Sequence, residues 1–415
     1  MKTKMNIWLI SKYAAPPQYA KFPSRLFLLA REFVKLGNKA LLITSDSNHF
    51  SDFPDTKHVY NQEEKDDVKI KWVKTKKYLK TASMARVLSW FDFERKLFSM
   101  NLKNMDRPDV VIVSSLSIFS IVFGYYLKRK FKAFLVFEIR DIWPLTMTEE
   151  GGFSKWHPLV LFIGFIEKFG YKKADLIVGT MPRLDLHVKN ILGYDKPFFC
   201  SPIGFAPEDY VRETTTNNVN PFSSLAPENK VIVGYAGSMG ISNALDPFIE
   251  AIKLADVHTN IHFLLVGSGD LKERLKERLK ECKNVIFLDR IEQNHVKDFL
   301  DICDILYLST HHSKVWDYGQ SMNKVVEYML AAKPIIATYA GYPSMINEAG
   351  CGEFVNSDKP EVLKNVFIDY ANMPKEQRML IGRKGREWVY NERKYSQLAK
   401  EYLEAINMLI IKGTQ

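Results

Sequence analysis

Val231-Ile232-Val233-Gly234-Tyr235-Ala236-Gly237-Ser238-Met239-Gly240 decides how this chain is read. An apolar run of strand length passes directly into glycines spaced G-x-x-G-x-x-G, and a helical pattern follows. A glycine-rich turn between strand and helix lets backbone N–H groups approach an anion, with the helix dipole behind them. The spacing is not the dinucleotide fingerprint G-x-G-x-x-G, and no G-x-x-x-x-G-K-[ST] stretch occurs anywhere. As an isolated feature, the loop reads equally as a tight strand-to-helix turn.

Strand-like runs continue downstream at Ile261–Val266, Val285–Leu288, Ile305–Leu308 and Ile335–Thr338, with helical patterns between them. Charged amphipathic helices are expected over Leu271–Cys282 and about Tyr395–Ile411. Upstream, residues 212–230 have linker composition, with Thr214, Thr215, Thr216, Asn217, Asn218 and Asn220 ahead of Pro221 and Pro227. Before the linker a second alternation runs through Asn6–Ile10, Ala40–Thr44, Ile70–Val73, Val110–Val113, Phe134–Glu138 and Leu176–Gly179. Ser24 and Gly37 bracket its first helix as N-cap and stop. Strand–helix alternation is the mark of α/β domains with largely parallel sheets. The reading is two doubly wound domains, whose ligand sites lie at the strand carboxyl ends.

At 415 residues and 46% hydrophobic, the chain has ordinary globular composition and is long enough for two or three domains. Its net charge of +10 is uneven. Residues 1–200 hold 33 Lys and Arg against 20 Asp and Glu, a surplus of 13, whereas residues 201–415 hold 25 against 28. A basic half suits an anionic membrane or a phosphorylated ligand, and it suits a plain solvated surface as well. Four scattered Cys without a C-x-x-C pair predict neither a disulfide framework nor a zinc site. Lys2 and Lys4 precede an apolar run too short for a signal peptide. The uncharged Val110–Leu127 reads as strand, serine turn and helix rather than as a membrane span.

Three loops carry candidate chemistry. In Tyr318-Gly319-Gln320-Ser321-Met322-Asn323-Lys324, Ser321 is placed to cap a helix whose free N–H groups, with Lys324, hold a phosphate. Glu327, one turn on, is placed to accept two vicinal sugar hydroxyls, or is a plain surface residue. Phe137-Glu138-Ile139-Arg140-Asp141-Ile142-Trp143-Pro144 puts Glu138, Arg140, Asp141 and Trp143 at a strand end, as reactive groups or as an ion pair. Arg25 is a candidate anion or sugar contact.

Taken in order, these motifs resemble the family 4 retaining glycosyltransferases, and within them the bacterial branch of WbuB-like N-acetyl-L-fucosamine transferases. The matching pieces are Pro23-Ser24-Arg25, Arg140-Asp141-Ile142-Trp143-Pro144, Ala174–Val178, Gly237–Gly240, Val266-Gly267-Ser268-Gly269, Ser321–Lys324 through Pro334, and Glu348–Gly352.

The resemblance implies the GT-B fold: two Rossmann-like domains facing across a cleft. The acceptor would bind residues 1–205 and the nucleotide sugar residues 206–390, with 391–415 a helix packing back on the first domain. Gly237, Ser238, Met239, Gly240, Ser321, Asn323 and Lys324 would hold the donor diphosphate. Glu327 would meet the ribose, and Arg290 and Ile291 the base, with a UDP-sugar favoured. Gly319 stands where the family's E-x7-E motif begins, so sugar contacts fall to Asp317 or to backbone amides. Asp141, ahead of Glu138, would orient or deprotonate the acceptor, with Arg140 beside them and Arg25 and Trp143 as substrate contacts. No metal or other cofactor is implied. The acceptor would be a polyprenyl-diphosphate-linked saccharide of O-antigen or capsule synthesis, met at the cytoplasmic face of the inner membrane. Segments Met84–Phe98, with Lys74, Lys76, Lys77 and Lys80 before it, and Phe153–Lys173 would sit there as amphipathic anchors, the second reading equally as an ordinary core helix. The competing readings are a nucleotide-sugar epimerase of the same fold and a non-enzymatic membrane or nucleic-acid scaffold. No nucleic-acid module is recognisable, and nucleic acid is not expected as a partner.

Overall fold

A computed structural model describes residues 4–19, 24–47, 54, 56–78, 83–210, 220–258, 260–355 and 359–413. Lys2, Pro23, Lys80 and the Thr/Asn run 214–218 lie outside the described residues. The chain divides into two compact units, residues 1–206 with 394–415, and residues 207–393.

The strands of the first unit are β1 (Asn6–Ile10), β2 (Lys39–Ser45), β3 (Tyr60–Lys65), β4 (Val68–Val73), β5 (Val110–Ser114), β6 (Phe134–Ile139), β7 (Leu176–Gly179) and β8 (Phe198–Cys200). They form one sheet in the order β3-β4-β2-β1-β5-β6-β7-β8, parallel except for the β3–β4 hairpin. β1 and β5 are almost wholly buried and apolar, as central parallel strands covered on both faces must be. β3 escaped the sequence reading because Tyr-Asn-Gln-Glu-Glu-Lys shows no apolar alternation. It is an edge strand whose residues are half-buried or exposed. The order reverses between β1 and β5, so the loops after these two strands flank the position where such sheets bind ligands.

The second unit contributes β9 (Val231–Ala236), β10 (Ile261–Val266), β11 (Val285–Leu288), β12 (Ile305–Ser309), β13 (Ile335–Thr338) and β14 (Gly352–Phe354). Their order is β11-β10-β9-β12-β13-β14, with every pair parallel. Here the order reverses between β9 and β12. The glycine-rich turn follows β9, and the loop to Lys324 follows β12, so both candidate phosphate loops start at that point.

The final helix, Tyr395–Gly413, belongs to the first unit. Tyr402 meets Phe33 of the helix Arg25–Lys35 edge-on, with ring centroids 5.7 Å apart, and meets Phe199 of β8 at 6.1 Å.

Beneath that contact lies a buried ionic cluster. Arg25 is buried, with its Nε 3.4 Å from Oε1 of the fully buried Glu138. Its guanidinium also donates to the Ser201 carbonyl and hydroxyl, both at 2.8 Å, and to the Pro202 carbonyl, and it lies over the Tyr395 ring. Burial opposes the charge on Arg25, and Glu138 opposite it raises its pKa. Removing one member of a buried pair strands the other charge, at a cost of about 3–5 kcal/mol. Glu138→Ala is therefore expected to lower unfolding stability by about 3 kcal/mol or more, read by urea unfolding. A loss near zero would show that the pair contributes nothing.

Candidate functional site

Two glycine loops interlock at the carboxyl end of the second sheet. Gly237 N donates to the Val266 carbonyl at 3.0 Å, and Met239 N to the Ser268 carbonyl at 2.9 Å. A Cβ on Gly267 would lie 1.8 Å from the Gly237 oxygen, and one on Gly269 2.5 Å from that of Met239. Both glycines also hold positive φ, +152° and +156°. Side chains are thus excluded twice over, by space and by backbone conformation. Met239 itself is buried in the core, so it serves the loop as an anchor; Ser238 is exposed at the tip.

The helix Asn323–Leu330 brings the polar groups to this loop. Lys324 Nζ lies over the Tyr235 ring, 4.6 Å from its centroid, and a Cβ on Gly237 would come within 2.3 Å of that nitrogen. One turn on, on the same face, the Tyr328 hydroxyl accepts from Ala236 N at 2.9 Å and donates to the Ala236 carbonyl at 3.2 Å. The Tyr235 hydroxyl donates to the Ser238 carbonyl at 2.7 Å. Glu327 accepts from Gln293 Nε2 at 3.0 Å. Burial lowers the Lys324 pKa to about 8 against the pull of Glu327. Burial raises that of Glu327, opposed by Gln293 and Lys324.

Ser321 does not cap the helix. Met322 occupies the N-cap without a side-chain bond, and the first turn begins at Asn323. Gly319 carries φ +98°, a conformation that a glutamate would adopt only under strain. Asp317, Arg290 and Asn323 are exposed and Ile291 is half-buried. The sequence reading gave no role to Gln293, Tyr328 or Tyr235. The i, i+4 spacing of Lys324 and Tyr328 was the one signal available for them.

In the first unit the candidate residues separate. Glu138 and Arg25, expected at a substrate, are turned into the interior and paired with each other. The cause is strand alternation: Glu138 lies within β6, whereas Arg140 and Asp141 lie just past its end. Their backbone N–H groups donate to Ser115 Oγ, at 2.9 and 3.3 Å, which pins the loop to the end of β5. Asp141 is half-buried, and burial raises its pKa against Arg140 and Arg86. Trp143 follows, joined to Pro144 by a cis peptide bond.

Lys12, just past β1, was also missed, although strand ends are where such sheets place reactive groups. Its backbone N–H donates to Ser117 Oγ at 2.6 Å and its ammonium to the Ser47 carbonyl. Burial lowers its pKa to about 7, with Asp46 pulling the other way.

Residues 230–371 match the family described as glycosyl transferases group 1. That span runs from just before β9 through the glycine loops and Lys324–Glu327. The whole chain superposes on solved structures of the GT-B fold. Sucrose-phosphate synthase from Thermosynechococcus elongatus matches with TM-score 0.72 at 14% identity, over 98% of this chain and 100% of that one. Anabaena HepE in complex with UDP and glucose matches with TM-score 0.65 at 14% identity, over 97% and 100%. WaaG, a glycosyltransferase involved in lipopolysaccharide biosynthesis, matches with TM-score 0.63 at 15% identity, over 95% and 98%. The fold is GT-B. No curated protein sequence matches the chain.

A bound diphosphate favours the charged form of Lys324. Nucleoside-diphosphate affinity is therefore expected to fall as pH rises from 7 through about 8 to 9, by up to about tenfold. Lys324→Arg, always charged, should flatten that profile in calorimetric titrations. Glu327→Ala should weaken nucleotide binding by about tenfold or more, the loss of a hydrogen bond to a charged group. A pH profile unaltered by Lys324→Arg together with unchanged binding in Glu327→Ala would remove the assignment.

Proposed function

We propose that the protein is a retaining glycosyltransferase that moves a sugar from a nucleoside-diphosphate donor, with UDP favoured, to a lipid-linked saccharide. The observation that carries the reading is the position of Lys324 and the helix start at 323 against the Gly237–Gly240 turn, at the reversal point of a parallel sheet. A cation, the start of a helix and a glycine-rich turn converge there, as a leaving diphosphate requires. Glu327, held by Gln293, takes the ribose hydroxyls. The resemblance of the motifs and the lipopolysaccharide role of WaaG support a place in bacterial surface polysaccharide synthesis, on the inner face of the cytoplasmic membrane.

In the reaction the bond from the anomeric carbon to the diphosphate oxygen breaks, and a bond to the acceptor oxygen forms on the same face. The acceptor proton passes to the departing diphosphate. The protein stabilises the leaving charge and fixes the geometry. Lys324 and the helix start neutralise the diphosphate without a metal ion. Asp141, with its pKa raised by burial, orients the acceptor hydroxyl by accepting its hydrogen bond until the proton passes to the diphosphate. Arg140 and Trp143 border the same loop. Asp317 and the backbone around Gly319 meet the donor sugar.

Thermal-shift titration with UDP, GDP, ADP, dTDP and CMP, with and without magnesium, tests the reading. A ligand that binds only the folded state raises the midpoint. A rise with UDP that does not depend on magnesium is the expected result. No rise with any nucleotide would overturn it.

A further inference from the structure

The second sheet ends on β11, which pairs with β10 alone among the described residues. Its ladder to β10 fixes which backbone groups are used inside the sheet. Phe263 N donates to the Asn284 carbonyl at 2.7 Å, and Gly267 N to the Leu288 carbonyl at 3.4 Å. Residues bonded to one neighbour alternate along a strand, so Asn284, Ile286 and Leu288 face β10. Val285 and Phe287 turn their N–H and C=O groups outward, to the open edge. Their side chains are apolar and half-buried. Natural sheets blunt such edges with brevity, charge, proline or a bulge; apart from its brevity, β11 has none of these along its own length.

An open groove of about 410 Å³ runs beside this edge. Leu279, Cys282, Val285 and Phe287 form its apolar part, and Glu273, Lys276, Glu277 and Lys280 supply the charge. These four exposed residues come from the helix Lys272–Arg278 and the turn after it. Their i, i+3, i+4, i+7 spacing gathers them on one side, next to the buried Leu275 and Leu279. Lys280 pairs with Glu277 at 2.6 Å within the chain. The order acidic, basic, acidic, basic is its own complement. Laid antiparallel against a copy of itself, Glu273 meets Lys280 and Lys276 meets Glu277. Both pairings share one centre, between Lys276 and Glu277.

We propose that the β11 edge is a dimer interface, taken by β11 of a second copy of this chain in antiparallel register about Ile286. Val285 of each copy then exchanges backbone hydrogen bonds with Phe287 of the other. Their side chains form cross-strand pairs, β-branched against aromatic, in the groove. The same two-fold axis, perpendicular to the sheet, sets the charged helix sides against each other. Along the sheet, the midpoint of Lys276 and Glu277 lies roughly 4 Å from the helix end at Leu279. Ile286 lies roughly 7 Å from Asn284, where the strand begins. Side chains as long as Lys and Glu span that difference, so one axis serves strand and helix. A partner of a single charge sign would meet repelling residues on this side, whereas a copy of this chain meets opposite charges throughout. The interface lies on the second unit alone and does not rest on the transferase reading.

Sedimentation velocity of the full chain, without nucleotide, tests the proposal. A small interface of this kind is expected to bind in roughly the micromolar range, giving a monomer at about 1 µM and a dimer at about 100 µM. Raising sodium chloride from about 50 to about 500 mM should weaken the dimer, because exposed ion pairs are screened. Val285→Pro removes an N–H that serves no bond within the sheet, at a strand position that tolerates proline. It should abolish the dimer while circular dichroism shows the chain still folded. Glu273→Lys with Glu277→Lys, and separately Lys276→Glu with Lys280→Glu, should each weaken self-association about tenfold or more. Mixed in equal amounts, these two variants should recover the dimer as a heterodimer, which also shows that both fold. A monomer at every concentration would overturn the proposal and leave the edge to an extended segment of another protein. A dimer that survives the charge reversals, or variants that fail to combine when mixed, would overturn it as well.

Discussion

The second unit is organised around missing side chains. Gly237, Gly267 and Gly269 bring two loops and the Lys324 ammonium to distances at which a single Cβ would collide. That closeness places a cation and the helix start at Asn323 against a glycine-rich turn, an arrangement suited to an anion. Tyr328 and Tyr235 complete it by tying the helix and the loop tip to backbone groups rather than to each other. Burial then sets the chemistry: it holds Lys324 near the pH at which proteins work and pushes Glu327 up.

The first unit uses burial for the opposite purpose. Arg25 and Glu138 are polar residues at positions where a sheet of this class would display a ligand, yet they face inward and form a buried ion pair. Their pairing ties the first helix, β6 and the Ser201–Pro202 segment to the final helix, because Arg25 reaches Ser201, Pro202 and Tyr395 at once. Buried pairs of this kind contribute little net stability but penalise any arrangement that breaks them. Asp141 and Arg140 are the groups left at the end of β6, held in place by Ser115.

How much was legible in the residues follows from the range of the physics. Strand runs, the glycine spacing, the helix through Glu327 and the charge asymmetry are local properties, and each could be read from a few neighbouring residues. The hairpin strand β3 could not, since its polar face carries no period. Nor could the shift of the N-cap from Ser321 to Met322.

The sequence by itself determined the two α/β units, the glycine-rich loops at the strand ends and the basic half, because apolar period and glycine spacing act over short range. Only the tertiary structure decided which polar residues meet. It turned Arg25 and Glu138 inward and set Gln293 on Glu327. Those outcomes depend on contacts between residues far apart in the chain, and neither composition nor period carries that information.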